Sequence, residues 1–187
     1  MSNVHRDIER ILITRDAIAE RIEALGREIH RDLEGQTSGE DVILMPILTG
    51  AVMFVADLMR HLPFKLKIGV VAVSSYPGTS MSSRGAQLTS ALPDDLAGRH
   101  VLIVDDILDS GGTIRLIREE VERRSPASVR ACVLLRKMIP AAMDTPCEYV
   151  GFDIPDEFVV GYGLDYDDFY RNLPDIGVLK KDVISSG

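Results

Sequence analysis

VLIVDDILDSGGTI, residues 101–114, decides how this chain is read. An apolar run ends on Asp105 and Asp106, a third acid follows at Asp109, and Ser110, Gly111, Gly112 and Thr113 lead into a helical pattern. The run has the composition of a buried strand, and the turn after it opens a helix. Gly111 and Gly112 let backbone N–H groups approach an anion, and a helix N-terminus adds positive potential. Ser110 and Thr113 supply hydroxyl donors. The result is a phosphate cradle, distinct from a Walker loop because no GKS or GKT follows. A capped helix start without ligand has the same look. The acids weigh against that alternative. Adjacent carboxylates at the end of a buried strand repel each other unless a cation or cationic partner is present. Ribose hydroxyls, often with Mg²⁺, suit such a pair. A 5′-phosphate in the turn and a ribose over the acids describe a phosphorylated sugar, with solvated acids at a strand end as the plainer reading.

Outward from this stretch, strands and helices alternate. ILITRDAIAERIEALGREIHRDLEG reads as a short strand and a helix, with Thr14 as N-cap, an apolar stripe of Ile18, Ile22, Leu25, Ile29 and Leu33, and Gly35 as the stop. DVILMPILTG is a strand buried on both faces, and AVMFVADLMRHL a helix. LKIGVVAVSSY is a further strand. PGTSMSSRGAQ, after it, is a loop long enough to act as a lid. HVLIVDD, VRACVLL, CEYVGFDI and FVVGYGL complete the strands, and TIRLIREEVERR is a helix. This alternation predicts an α/β fold with a mostly parallel sheet, whose ligands bind beyond the carboxyl ends of the strands. The acids lie at one such end.

The 187 residues suffice for one domain with its own core, and no internal repeat or linker divides them. A net charge of −8 weighs against a protein that holds nucleic acid through a basic face. The first ten residues, MSNVHRDIER, carry no apolar core of a signal peptide. No apolar run approaches the ~20 residues needed to span a bilayer. Cys132 sits in an apolar run, and neither it nor Cys147 has metal-like spacing. These features predict a cytoplasmic protein without disulfides, zinc site or membrane contact. AVMFVADLM carries more apolar residues than one helix face buries, which points to self-association.

VLIVDDILDSGGTI resembles the signature of the type I phosphoribosyltransferases: four apolar residues, two acids, two apolar residues, a variable position, then Ser/Thr-Gly and Thr. VSSYPG, LLRK and YVGFDIPDEFVVGYGLDYDDFYRNLP are similar to the hypoxanthine/guanine branch in particular. The resemblance covers most of the chain. It implies one phosphoribosyltransferase domain over 1–187, with a mostly parallel central sheet flanked by helices and a small hood built from the terminal segments. It also implies transfer of 5-phosphoribosyl from 5-phosphoribosyl-1-pyrophosphate (PRPP) to hypoxanthine or guanine, with Mg²⁺, release of pyrophosphate, and a homodimer or homotetramer.

Residue by residue, the resemblance gives Asp105 and Asp106 the ribose hydroxyls, Asp109 the role of general base beside purine N7, and Asp109 to Thr113 the 5′-phosphate. Removing a ring proton makes N9 nucleophilic, which fits a carboxylate there. Lys137 matches the donor to the 6-oxo group, Phe158 the ring stacked on the base, and Val159 the backbone that reads its edge. Asp165 matches a carboxylate that helps bind a second Mg²⁺, and Arg171 a contact to pyrophosphate. Ser75 and Tyr76 match the signature pair of a loop, about 74–88, that closes over the site and excludes water from a reactive sugar cation.

Two departures stand out. The family usually has Leu-Lys-Gly, with a cis peptide, at the pyrophosphate turn. This chain has Leu48-Thr49-Gly50, so Thr49 and Gly50 would bind through the backbone, and the peptide before Thr49 is expected to be cis. Relatives often have Glu-Asp where this chain has Asp105-Asp106, a shortening reminiscent of the xanthine-guanine branch. A xanthine-preferring enzyme is therefore one alternative. Another is a non-catalytic RNA-binding regulator of the same fold, whose loop typically lacks an acid at the position of Asp109.

Overall fold

The computed structural model describes residues 6–36, 41–74 and 87–184. Its centre is β6 (His100–Leu108), which pairs in parallel with β2 (Val42–Leu48) on one side and β7 (Ser128–Lys137) on the other. β8 (Tyr149–Ile154) extends the sheet beyond β7, again in parallel. Beyond β2 run β3 (Leu66–Ile68) and β4 (Val71–Ser74), one after the other along the same neighbour. β5 (Gln87–Leu88) closes that edge antiparallel to β4.

The pleat explains why these strands read as unbroken apolar runs. Val42, Leu44, Leu102, Val104, Cys132 and Leu134 face one way, toward α1 (Arg15–Leu33) and α2 (Val52–Leu58). Ile43, Met45, Val101, Ile103, Ala131 and Val133 face the other, toward α3 (Gly112–Glu122) and α4 (Pro140–Met143). A strand covered on both faces has no polar side to alternate with. α1 follows its sequence closely. Thr14 accepts a hydrogen bond from the Ala17 amide at 3.3 Å, all five stripe residues are buried, and Gly35 after the helix has φ +78°.

A second, three-stranded antiparallel sheet joins β1 (Ile8–Ile13), β10 (Ile176–Leu179) and β9 (Val159–Val160) in the order β1-β10-β9. It is the expected hood of terminal segments. It packs on the α1 side of the core through Ile13, Val159, Ile176 and Val178, and α5 (Lys181–Ile184) follows it.

Some elements depart from the sequence reading, and the short β5, α4 and α5 are absent from it. LKIGVVAVSSY is two strands, because the Gly69 amide turns to the Leu44 carbonyl at 2.9 Å, and a Cβ at Gly69 would stand 2.5 Å from Pro93. FVVGYGL ends as a strand after Val160, where Gly161, Tyr162 and Gly163 all take positive φ. β10 has no counterpart in that reading. The loop 74–88 begins and ends as strand, since Ser74 pairs with Gln87. Ser75 and Tyr76 lie outside the described residues. No helix among the described residues is long and apolar enough to cross a membrane.

Candidate active site

Beyond the carboxyl ends of β2 and β6 lies a cavity of about 450 Å³. Its walls include Thr49 and Gly50 after β2, Asp105 and Asp106 at the end of β6, the turn Asp109–Thr113, and Asp165 and Arg171 from the segment between β9 and β10. Four stretches, separated by up to more than a hundred residues in the chain, thus converge as the resemblance implies.

The turn is built to leave donors free. Gly111 takes φ +77° as N-cap of α3, and the first intrahelical bond runs from the Arg115 amide to the Gly111 carbonyl at 3.0 Å. The amides of Gly112, Thr113 and Ile114 precede that bond, and all three residues line the cavity. The acids are arranged differently. Asp105 Oδ1 accepts from the Asp106 amide at 3.0 Å, and Asp106 Oδ1 from the Ile107 amide at 2.8 Å. Burial, and then the neighbouring Asp106 carboxylate, push the Asp105 carboxyl well above its ordinary range. Burial also raises Asp106, against the pull of its hydrogen bonds and the more distant Arg171 charge.

The side around Thr49 and Gly50 is a stack of backbone. The Leu48–Thr49 peptide is cis, as the sequence reading expects. A Cβ on Gly50 would stand 1.8 Å from Asp106 Oδ2, and one on Gly163 would stand 2.3 Å from the Gly50 carbonyl oxygen. The Gly163 carbonyl accepts from Arg171 Nη1 at 2.8 Å. The same guanidinium pairs with Asp165 Oδ1 at 2.8 Å and Asp168 Oδ1 at 2.9 Å.

The side around Lys137 is looser. Lys137, at the end of β7, reaches Asp109 Oδ2 at 3.2 Å and Asp156 Oδ1 at 2.9 Å. Burial pulls its ammonium down, but the hydrogen bonds and charges of Asp156 and Asp109 outweigh this and leave it above the ordinary lysine value. Phe158 is exposed and meets Tyr166 edge-on, with ring centroids 5.4 Å apart. Val159 is buried in β9 opposite Val178. None of Lys137, Phe158 and Val159 lines the cavity itself; Lys137 is tied to it through Asp109.

A family model for the phosphoribosyl transferase domain matches residues 12–167. The chain belongs to the phosphoribosyltransferase family. It is 46% identical over 176 residues to a hypoxanthine-guanine phosphoribosyltransferase of Mycobacterium avium, covering 92% of this chain and 86% of the relative. It is 39% identical to the enzyme of that name from Streptococcus pneumoniae strain R6, covering 98% and 99%. Among solved structures, a hypoxanthine phosphoribosyltransferase from Staphylococcus aureus superposes with a TM-score of 0.88 at 38% identity, covering 97% of each chain.

Set against the phosphoribosyltransferase signature, the sequence reading missed the residues that hold others in place. Asp156 shares Lys137 with Asp109, Asp168 shares Arg171 with Asp165, and Thr145 and Arg115 sit beneath the glycine turn. Asp156 lay two residues before Phe158 and was detectable there. Thr145 carried no local signal, because its partner is thirty residues away in the chain.

Proposed function

We propose that this cavity transfers the 5-phosphoribosyl group of PRPP to N9 of hypoxanthine or guanine, a purine salvage reaction that gives IMP or GMP and pyrophosphate. The observation that carries the reading is the 3.2 Å ion pair between Lys137 and Asp109 beside the anion turn. It belongs to a chain similar over nearly its whole length to enzymes named for hypoxanthine and guanine. One side chain presents a donor suited to a 6-oxo group, and the other a carboxylate suited to a ring proton. Asp109 takes the N7 proton as N9 forms its bond to C1 of the sugar, and pyrophosphate leaves toward Thr49, Gly50 and Arg171. As the sugar becomes cationic, the Asp109 carboxylate also stabilises it electrostatically. The amides and hydroxyls of Ser110 to Thr113 hold the 5′-phosphate, and Asp105 and Asp106 orient the ribose hydroxyls. Phe158 supplies a stacking face and Val159 its backbone at the edge of the base.

Mg²⁺ fits the donor set. Asp105, Asp106 and Asp165 offer hard oxygen ligands, and the first two form a buried like-charged pair whose ionised form calls for a counter-charge. Bound with PRPP, the ion would neutralise charge on the departing pyrophosphate. The protein acts in the cytoplasm as a homo-oligomer. Val52 and Met53, which stay exposed on α2, support self-association, and sedimentation as a monomer would refute it.

Steady-state assays with PRPP and Mg²⁺ test the reaction. Hypoxanthine and guanine are expected to turn over and adenine not, because a 6-amino group offers Lys137 no acceptor. Faster turnover of adenine than of hypoxanthine would overturn the assignment.

A further inference from the structure

We infer that Arg115 is a positioning residue for substrate phosphate: it locks the Ser110–Gly111 peptide so that the turn shows the anion a donor and not an acceptor. The inference rests on that turn's receiving the 5′-phosphate.

The guanidinium is held at both ends. Nη2 donates to the Ser110 carbonyl at 2.8 Å, and Nη1 donates to Thr145 Oγ1 at 2.5 Å. The Thr145 hydroxyl spends its own proton on the Ala141 carbonyl at 2.8 Å, so its oxygen is left to accept from Arg115. Thr145 is 2% exposed and fixed just after α4, which makes it a firm anchor. Gly111 lies directly on this pair. A Cβ there would stand 2.0 Å from Thr145 Oγ1 and 2.6 Å from Arg115 Nη1.

A planar trans peptide points its carbonyl and its N–H in opposite directions. Tying the Ser110 oxygen to Arg115, below the turn, therefore aims the Gly111 N–H the other way. Both residues line the cavity. Glycine at Gly111 makes the opposite orientation cheap, since φ of either sign is open to it. Flipped, that peptide would turn a carbonyl oxygen toward a phosphate and withdraw an amide. The glycine that lets the turn form also leaves it ambiguous, and Arg115 removes the ambiguity. The planar fork suits this task, because it meets two acceptors at once in a fixed geometry.

The test compares the inhibition constants of IMP and inosine, which differ only in the 5′-phosphate, for wild type, Arg115→Ala, Arg115→Lys and Thr145→Val. In wild type IMP is expected to bind much more tightly than inosine. If the two bind alike, the phosphate reading of the turn fails, and the inference falls with it. Given wild-type discrimination, Arg115→Ala is expected to lower the inosine-to-IMP ratio by about tenfold, the scale of one charge-assisted hydrogen bond. KM for PRPP is expected to rise in parallel, while KM for hypoxanthine stays within about twofold. Arg115→Lys, which keeps the charge but not the fork, recovers part of the loss and serves if the alanine variant folds poorly. Thr145→Val shows a smaller loss in the same direction, and the double variant with Arg115→Ala is no worse than Arg115→Ala alone. An unchanged IMP-to-inosine discrimination in both Arg115 variants overturns the inference while leaving the reaction assignment intact. Equal weakening of IMP and inosine overturns it too, since that reports general damage.

Discussion

The two ends of the cavity are made of different material. At the end proposed for the sugar phosphate, the turn Asp109–Thr113 and the Gly50–Gly163 contact present mostly backbone, fixed by left-handed glycines and by a clamp from below. At the end proposed for the base, the groups are side chains: Lys137 pairs with the exposed acids Asp109 and Asp156, and Phe158 stands outside the lining with one edge-on ring contact. The difference suits the two ligands proposed. A phosphate is satisfied by several N–H groups in a fixed array, and a rigid backbone supplies them with little reorganisation. A flat base needs one or two directed donors and a stacking face, which leaves room for a site to alter its choice of base.

Asp109 stands where the two ends meet, so its substitution is the strongest probe of the comparison. Asp109→Asn is expected to lower kcat by roughly 10²–10⁴-fold with little change in KM for PRPP. Single-turnover rates make the comparison clean if product release limits the wild type. An unchanged chemical rate would take the general-base role from Asp109 and leave the ends separate. Lys137→Met tests the base end alone. It removes a charged donor to the 6-oxo group, and kcat/KM for hypoxanthine is expected to fall about 10–100-fold while KM for PRPP is retained. A matching loss for PRPP would show the two ends to be one unit.

The smallest effect concerns stability. Burial and the Asp106 carboxylate raise the Asp105 carboxyl above its ordinary value of 3.8, so the ligand-free fold favours the protonated form. For an acid raised on folding, that contribution is full below the unfolded value and is lost as pH rises through the folded one. Asp105→Asn, which cannot ionise, is therefore expected to melt higher than wild type at neutral pH without ligand. The gain should shrink toward zero as pH falls below about 3.8. A gain independent of pH would mean that packing, and not charge, separates the two.

Much of this was legible because local rules and tertiary packing agree. The α1 stripe, the Thr14 cap and the β6–turn–α3 signature each carry their meaning in a few adjacent residues, and each fold as read. The misses have the opposite character. β10 is four residues long and exists only through partners in β1 and β9, the former more than 160 residues away in the chain. The break between β3 and β4 depends on Pro93 crowding Gly69, a contact no window around Gly69 contains. In the site, residues expected to meet the ligand stood out by chemical type. Those that steady them, Thr145, Asp156 and Asp168, are common surface residue types whose meaning comes from their neighbours. The Leu48-Thr49-Gly50 departure stays informative: the turn keeps its backbone form with a neutral side chain in place of the usual lysine.

The contact of Gly163 with the Gly50 carbonyl, and of Gly50 with Asp106, bears on how this site can change over generations. Three positions far apart in the chain form a column with no slack: a methyl group at either glycine collides with the next member. A single substitution at either position is costly, because it displaces the Gly50 backbone or the Asp106 carboxylate. Drift at this wall is therefore easier at positions outside the column, and Thr49 is such a position. A chain can carry a neutral residue there and keep the wall, whereas a side chain at Gly163 would require the Gly50 backbone to move, and one at Gly50 the Asp106 carboxylate.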